Sequence, residues 1–352
     1  GMPIADFYLL LRNVISNIQD GHTSCNLPPE LANHFISKEK MFPVQLRFIN
    51  DKTYVPCKQA ALPVASEVTA IDNKSIDEIR ERLFSYLPSD GANQTKKYWD
   101  LNNDSFIPLY FLAFGGKKTF SVEYKTDDGK TGIQILNADF LQNAQCQNPP
   151  PKKPKYLELD FKSGKIAILI IKTFSSHLLN SPDEYANFLE SSFKQIKKKG
   201  ISKLVIDLRD NGGGHDVYGS MLYSYLTSKP FKYYSSLEST SGKFQEQDHP
   251  NLSIQQPAQD NFKGKVYFLV NGKSFSTTAE FCSIAKSNER GVFIGEETGG
   301  GYYGNTSGGN ARIVLPNSKI IVNIPKTKYT MAVKEATYKD RGIIPDFIIT
   351  PG

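Results

Sequence analysis

Apolar residues fall at helical spacing over residues 7–18: Phe7, Leu10, Leu11, Val14, Ile15 and Ile18 predict one apolar helix face. The pattern stops at 19-QDGHTS-24, where Gly21 is the expected terminator. Between residues 42 and 140 the period changes. Short alternating runs, 44-VQLRFI-49, 67-EVTAI-71, 120-FSVEYK-125 and 132-GIQIL-136, predict strands punctuated by turns. One helix interrupts them: Ser75 precedes 76-IDEIRERL-83, with Glu78 three residues on, the pattern of a capping box. The segment 148-NPPPKKPK-155 then predicts an extended connection.

Beyond that connection the pattern is regular. A strand over 165-KIAILII-171 is followed by a helix opening at 181-SPDE-184, with Ser181 as cap and Pro182 at the first position. That helix ends at 197-KKKG-200, where cations meet the negative dipole end. Strand 203-KLVIDL-208, a helix at 216–227, strand 265-KVYFLV-270, a helix at 277–287 and strand 292-VFIG-295 follow. The alternation predicts an α/β fold with a largely parallel core sheet. The expected division is an N-terminal helical segment (1–41), a small β-rich module (42–147), a Pro/Lys linker (148–155) and an α/β domain (156–352). Ligands gather at the carboxyl ends of strands in such sheets. The glycine run 212–214 and the segment after Val270 both lie at such ends.

Composition narrows the class. The chain of 352 residues is 39% hydrophobic and 22% charged, typical of a globular protein. No apolar run approaches the roughly 20 residues of a membrane helix, so no integral membrane segment is expected. The net charge of +6 is spread along the chain, whereas a nucleic-acid groove would concentrate it. The Gly before Met in GMPIADFY reads as the scar of a removed expression tag, so a missing signal peptide does not argue against export. Cys25, Cys57, Cys146 and Cys282 have no zinc-like spacing. They read either as four isolated thiols or as including one disulfide, Cys57 to Cys146.

Four segments carry candidate chemistry. The first, 203-KLVIDLRDNGGGHDVYG-219, runs from strand into bare backbone. The second, 271-NGKSFSTTAEF-281, places small hydroxyl residues at a strand-to-helix turn. Such a turn can present a serine nucleophile, and the same residues are also good helix caps. The third, 295-GEETGGGYYGNTSGG-309, lacks the Lys-Ser/Thr ending of a nucleotide loop and reads as a cleft lining or a mobile loop. The fourth is 340-DRGIIPD-346. A serine nucleophile needs a base, and the histidines are His22, His34, His177, His215 and His249.

In order and wording, 20-DGHT-23, 205-VIDLRDNGGG-214, 274-SFSTTAEF-281, 295-GEETGGG-301 and 342-GIIPD-346 resemble the tricorn and C-terminal-processing serine peptidases, family S41. The resemblance implies a crotonase/ClpP-like catalytic domain, a spiral of ββα units, with a PDZ-like module, to whose end 67-EVTAIDNKSIDEI-79 is similar. One branch of the family uses a Ser/Lys dyad, but Gly301 stands where its Lys would be, and the tricorn-like branch carries the base onto His22. Ser276 is then the nucleophile, with Ser274 the runner-up. Glu280 lies four residues after Ser276, where the family places a glutamate three residues on. Asp340 is the expected orienting acid, with Glu335 the alternative, and Gly213, Gly212 and Thr277 the expected oxyanion donors. The implied protein is an exported periplasmic or envelope serine peptidase acting on peptide or protein substrates, with no cofactor, no metal and no nucleic acid. The alternatives are an inactive member that binds peptide or lipophilic ligand, and an esterase with the same triad.

Overall fold

The computed structural model describes residues 1–58, 61–144, 146 and 154–350. Helix α1 (Ile4–Ile18) buries Tyr8, Leu9 and Ile15, while Leu10, Val14 and Ile18 face solvent. The helix is apolar around more than one side, so the predicted stripe and the buried face coincide only in part. It ends on Gln19, whose left-handed backbone (φ 59°) lets its N–H donate to Ser16 O. Gly21, the expected terminator, is left for another purpose. After it, β1 (Ser24–Asn26) enters a sheet with a long hairpin from the other end of the chain.

The β-rich region is an antiparallel sheet in the order Arg47–Ile49, Lys52–Tyr54, Glu67–Ile71, Thr119–Lys125, Thr131–Asn137, with Lys74–Ser75 paired to Glu67–Ile71. Ser75 Oγ accepts the Glu78 N–H at 3.1 Å and caps helix Ile76–Phe84 as its sequence predicts. Two further helices, α2 (Thr95–Asp100) and Phe106–Phe114, have no periodic signature strong enough to predict. Phe42, Phe106, Tyr110 and Phe120 centre this core. Cys57 and Cys146 form a disulfide across 89 residues, and Cys25 and Cys282 are buried free thiols. Residues 148–153 of the proline-lysine segment lie outside the described residues.

The second core surrounds a six-stranded sheet built from β2 (Leu157–Lys162), β3 (Ile166–Ile171), β4 (Lys203–Asp207) and three later strands. Helix Glu184–Lys198 starts two residues later than SPDE suggests, on Asp183, and ends at Lys199–Gly200 as expected. Next come α3 (Asp216–Ser224), β5 (Tyr234–Ser239), β6 (Lys265–Val270), α4 (Thr277–Ser287) and β7 (Val292–Gly295). The chain closes with a hairpin of β8 (Gly304–Val314) and β9 (Ile321–Met331) and with β10 (Phe347–Ile348). The sheet order is β2-β3-β4-β6-β7-β10, antiparallel only between β2 and β3. Alternate residues point one way into the core: Leu169 and Ile171, Leu204 and Ile206, Phe268 and Val270 are fully buried. The largely parallel sheet expected from the sequence is present, and β4 and β6 deliver their carboxyl ends side by side.

The disulfide ties the β-rich core to the end of its own segment. Replacing both Cys57 and Cys146 with Ser should lower stability by about 2–4 kcal/mol, read as an earlier urea midpoint under non-reducing conditions. An unchanged midpoint would show that the bond contributes nothing.

Candidate active site

Beyond β4 the chain does not turn freely. Asp207 is buried and meets Arg209 through Nη2–Oδ2 at 2.8 Å and Nε–Oδ1 at 2.9 Å, and Lys172 at 3.3 Å. Burial alone would raise its carboxyl, but the Arg209 hydrogen bonds and the Lys172 charge outweigh that and hold it below the usual range. Asn211, fully buried, donates to Ile171 O at 3.1 Å and accepts the Gly213 N–H at 2.9 Å. Gly213 therefore spends its N–H on Asn211, and the expectation of Gly213 as an oxyanion donor fails for that reason. Gly212 and Gly214 have N–H groups with no acceptor among the described residues. Gly213 and Gly214 adopt φ of 95° and 148°, open to glycine and strained for other residues. A Cβ on Gly213 would stand 2.8 Å from both Phe275 O and Ser276 Cβ. The glycine run thus brings bare backbone against the serine turn.

That turn is strained at one residue. Ser276 has φ 55° and ψ −129°, and its side chain makes no capping hydrogen bond although it precedes α4. Ser274 is fully buried; its Oγ donates to Leu208 O at 2.9 Å and accepts the Asn271 N–H at 3.1 Å. It is a structural brace. Thr277 opens the helix, so its N–H has no intrahelical acceptor, while its Oγ1 donates to Gly214 O at 2.9 Å. Glu280 turns away into the core and accepts from Tyr234 OH and Asn305 Nδ2, each at 2.7 Å. Burial raises its carboxyl to about 7, against these hydrogen bonds.

His22 reaches the same place from the other end of the chain. Its ring stacks on Phe275, with centroids 4.5 Å apart. Gly21 makes this possible, because a Cβ there would meet Phe275 Cζ at 2.8 Å. Asp20 Oδ1 accepts the His22 N–H at 3.0 Å, and Thr23 Oγ1 donates to the other Asp20 oxygen. Asp90 accepts from Gly21 N at 2.8 Å and Gly301 N at 3.1 Å. One donor atom each from Asp20, His22 and Asp90 lie within 4.8 Å of one another. A divalent cation could use such a set, but each carboxylate oxygen is already engaged by an N–H or O–H, so the set reads as support for the His22 turn. His22 Nδ1 is buried without a hydrogen-bond partner.

Burial lowers the His22 pKa to about 4; Asp20 pulls it up and Lys96 pushes it further down. Burial raises the Asp90 carboxyl to about 6, opposed by the N–H groups of Gly21 and Gly301. The consequences for stability have opposite signs. The folded value of His22 lies below the free 6.5, so its contribution is lost as pH falls from 6.5 through about 4. Asp90 lies above its free 3.8, so its contribution is full below 3.8 and lost as pH rises through about 6. Between pH 4 and 6 the two partly cancel.

The structure sets Gly213 against Ser276 and Thr277, stacks His22 on the neighbouring Phe275, and places Gly212 against Lys273. The Asp340 side chain is exposed and has no hydrogen bond or ion pair among the described residues. Its main-chain oxygen instead accepts the Ala92 N–H at 2.9 Å. Glu335 is exposed as well. Asp90 went unread because 88-PSDGAN-93 resembles any surface turn. The only signal available was its Asp-Gly pair, shared with 20-DGHT-23. The last two motif segments are clamped together: Glu297 grips Arg341 in a bidentate pair and accepts the Gly342 N–H at 2.7 Å, and Ile343 N donates to Thr298 Oγ1 at 2.8 Å.

The model of the family described as "Peptidase family S41" matches residues 165–349, more than half of the chain. The chain belongs to peptidase family S41. Among solved structures it is similar in fold to mature CPAF, with TM-score 0.66 and 12% identity over 98% of this chain and 83% of that one. Mature CPAF complexed with lactacystin gives 0.65 and 13% over 98% and 84%. A photosystem II D1 C-terminal processing protease also matches, at TM-score 0.43 and 14% identity over 98% and 82%. Among curated proteins the sequence matches none. As an S41 member the chain is a serine-type peptidase, and a peptide or protein substrate fits the family. Among the described residues no helix is long and apolar enough to cross a membrane.

Gly213→Ala tests the close approach in this S41 site. The added methyl meets Phe275 O and Ser276 Cβ at a φ of 95°, so a loss of about 1–3 kcal/mol in thermal or urea stability is expected. A wild-type melting curve would show that the turn yields freely.

Proposed function

We propose that this peptidase cleaves peptide bonds through an acyl-enzyme on Ser276, with His22 as base. The observation that carries the reading is the strained Ser276 backbone (φ 55°, ψ −129°) with an Oγ that caps nothing. A left-handed non-glycine residue is costly and persists where its surroundings over-determine it. A serine that served only as a cap would adopt extended backbone and bond the helix N–H groups.

Ser276 Oγ adds to the carbonyl carbon and its proton passes to His22. The C–N bond then breaks, and His22 returns the proton to the leaving amine. Water repeats the sequence against the ester. Burial keeps His22 neutral and ready to accept, and the charge of Asp20 favours the imidazolium that forms. Asp20 acts on the ring through its charge and by fixing the His22 main chain, and Asp90 fixes the turn. For the oxyanion, the free N–H groups of Thr277 and Gly212 are the donors, each worth roughly 3–4 kcal/mol of barrier. Gly213 shapes the approach.

The α/β region 156–352 is read as the crotonase/ClpP-like spiral, and 42–147 as a PDZ-like module joined by 148–155, with 1–41 contributing the base. The Cys57–Cys146 disulfide supports an oxidising, exported setting.

A fluorophosphonate probe should label the wild-type protein at pH 8. Ser276→Ala should abolish labelling and Ser274→Ala should retain it. No labelling of folded wild type would favour a binding protein over a peptidase. The pH profile checks the base. The acid limb of kcat/KM should lie well below 6.5, toward the value of about 4 set by burial of His22. Asp20→Asn should reduce kcat/KM by on the order of 10²–10⁴, while Asp340→Asn should stay near wild type. The reverse pattern would return the acid role to Asp340.

A further inference from the structure

Trp99, the one tryptophan of the chain, lies on α2, which the β-rich region lays over the serine turn. Gly272 packs so closely under α2 that a Cβ there would stand 2.2 Å from Thr95 O. Lys273 Nζ stands 4.4 Å above the Trp99 ring. Its Cε lies 3.0 Å from where a Cβ on Gly212 would project. The neighbouring charges are occupied. Lys96 pairs with Asp100 at 2.7 Å, and Asp210 Oδ1 accepts from Trp99 Nε1 at 3.1 Å and Asn271 Nδ2 at 2.9 Å. The Lys273 ammonium has no hydrogen bond or ion pair among the described residues. It is half-buried, and a cation drawn out of water without a direct counter-ion is costly. Burial lowers its pKa, as does Lys96, with Asp100 and Asp210 opposing.

This unpaired ammonium is next to the chemistry. It is three residues before Ser276 and touches the glycine whose successor meets Ser276 Cβ. The indole holds the ammonium in place by a cation–π contact and leaves its N–H donors open. A carboxylate arriving there would form charge-assisted hydrogen bonds and offset the desolvation of Lys273.

We propose that Lys273 and Trp99 form a carboxylate-receiving subsite beside Ser276, so that the preferred substrates are peptides carrying a carboxylate close to the scissile bond. The position relative to that bond rests on Ser276 as nucleophile; the binding of the carboxylate does not. The carboxylate comes from an Asp or Glu side chain or from the free end of the substrate chain.

Trp99 supplies the readout, since its fluorescence is the only indole signal of the protein. Ser276→Ala protein is titrated with three probes: acetyl-Ala-Ala-Glu-Ala-amide, the free acid of acetyl-tetraalanine, and acetyl-tetraalanine amide. Saturable fluorescence changes are expected, with at least about tenfold tighter binding for one or both carboxylate probes than for the neutral amide. The probe that gains identifies the source. Lys273→Met, which keeps the stem against Gly212 and Trp99, should erase the difference, and Lys273→Arg should keep it. Equal binding of all three, no saturable change with any, or a preference that survives Lys273→Met overturns the subsite. Fluorophosphonate labelling of the Ser276-containing protein reports separately. Labelling without carboxylate preference removes only the subsite, and preference without labelling removes only the peptidase chemistry.

Discussion

Asp90 accepts one N–H from Gly21 and one from Gly301, so a single half-buried carboxylate holds the first turn of the chain against the last glycine-rich loop. Burial works against it and lifts its carboxyl toward about 6, while the two N–H groups pull back. Other contacts depend on that anchor. With Gly21 fixed, its bare Cα admits the Phe275 ring, and His22 comes to rest on the same ring. Gly91 is pinned in turn, since a Cβ there would lie 2.5 Å from Asp340 O. The proposed site is therefore not contained in the residues the family model matches: His22, the proposed base, lies before that region, and Asp90 comes from the β-rich part.

The strained serine needs the opposite wall. Ser276 is held by Phe275 N to Asn211 O at 3.2 Å on one side and Gly300 N to Ser274 O at 3.4 Å on the other. A Cβ on Gly300 would meet Ala279 Cβ at 2.6 Å, so the third glycine segment closes on α4 itself. Three glycine-bearing turns thus converge on Phe275 and Ser276, each because a side chain would fill the space the next one needs. That convergence is what lets a single serine keep a conformation it would relax from elsewhere.

Much of this architecture was legible. The core strands and α4 follow from runs of β-branched and aromatic residues and from hydroxyl residues at a strand end. What a residue's identity does not encode is direction. Gly213 looks like an N–H donor for an oxyanion until Asn211, two residues back, takes that N–H. Gly21 looks like a helix stop, but Gln19 makes the left-handed turn and Gly21 is kept for Phe275. Asp340 and Asp90 both sit in polar turns, and only the tertiary fold decides that one carboxylate is half-buried on two N–H groups and the other exposed. The β8–β9 hairpin was also hidden. Its first strand begins in glycine, and its register shifts between Ser307 and Asn310, so no alternation survives to be read.

The electrostatics of His22 follow from the same packing. Packing against Phe275 and the turn favours the neutral ring, and Lys96, brought by α2, adds to this. Lys96 is itself paired with Asp100, so its push on the ring is blunted. Asp20 is the charge that pulls the other way, and it is fixed by the His22 N–H and by Thr23. A neutral resting ring beside a fixed carboxylate costs little while the site is idle. In the proposed mechanism the carboxylate acts mainly when a proton arrives on the ring, where its charge favours the imidazolium.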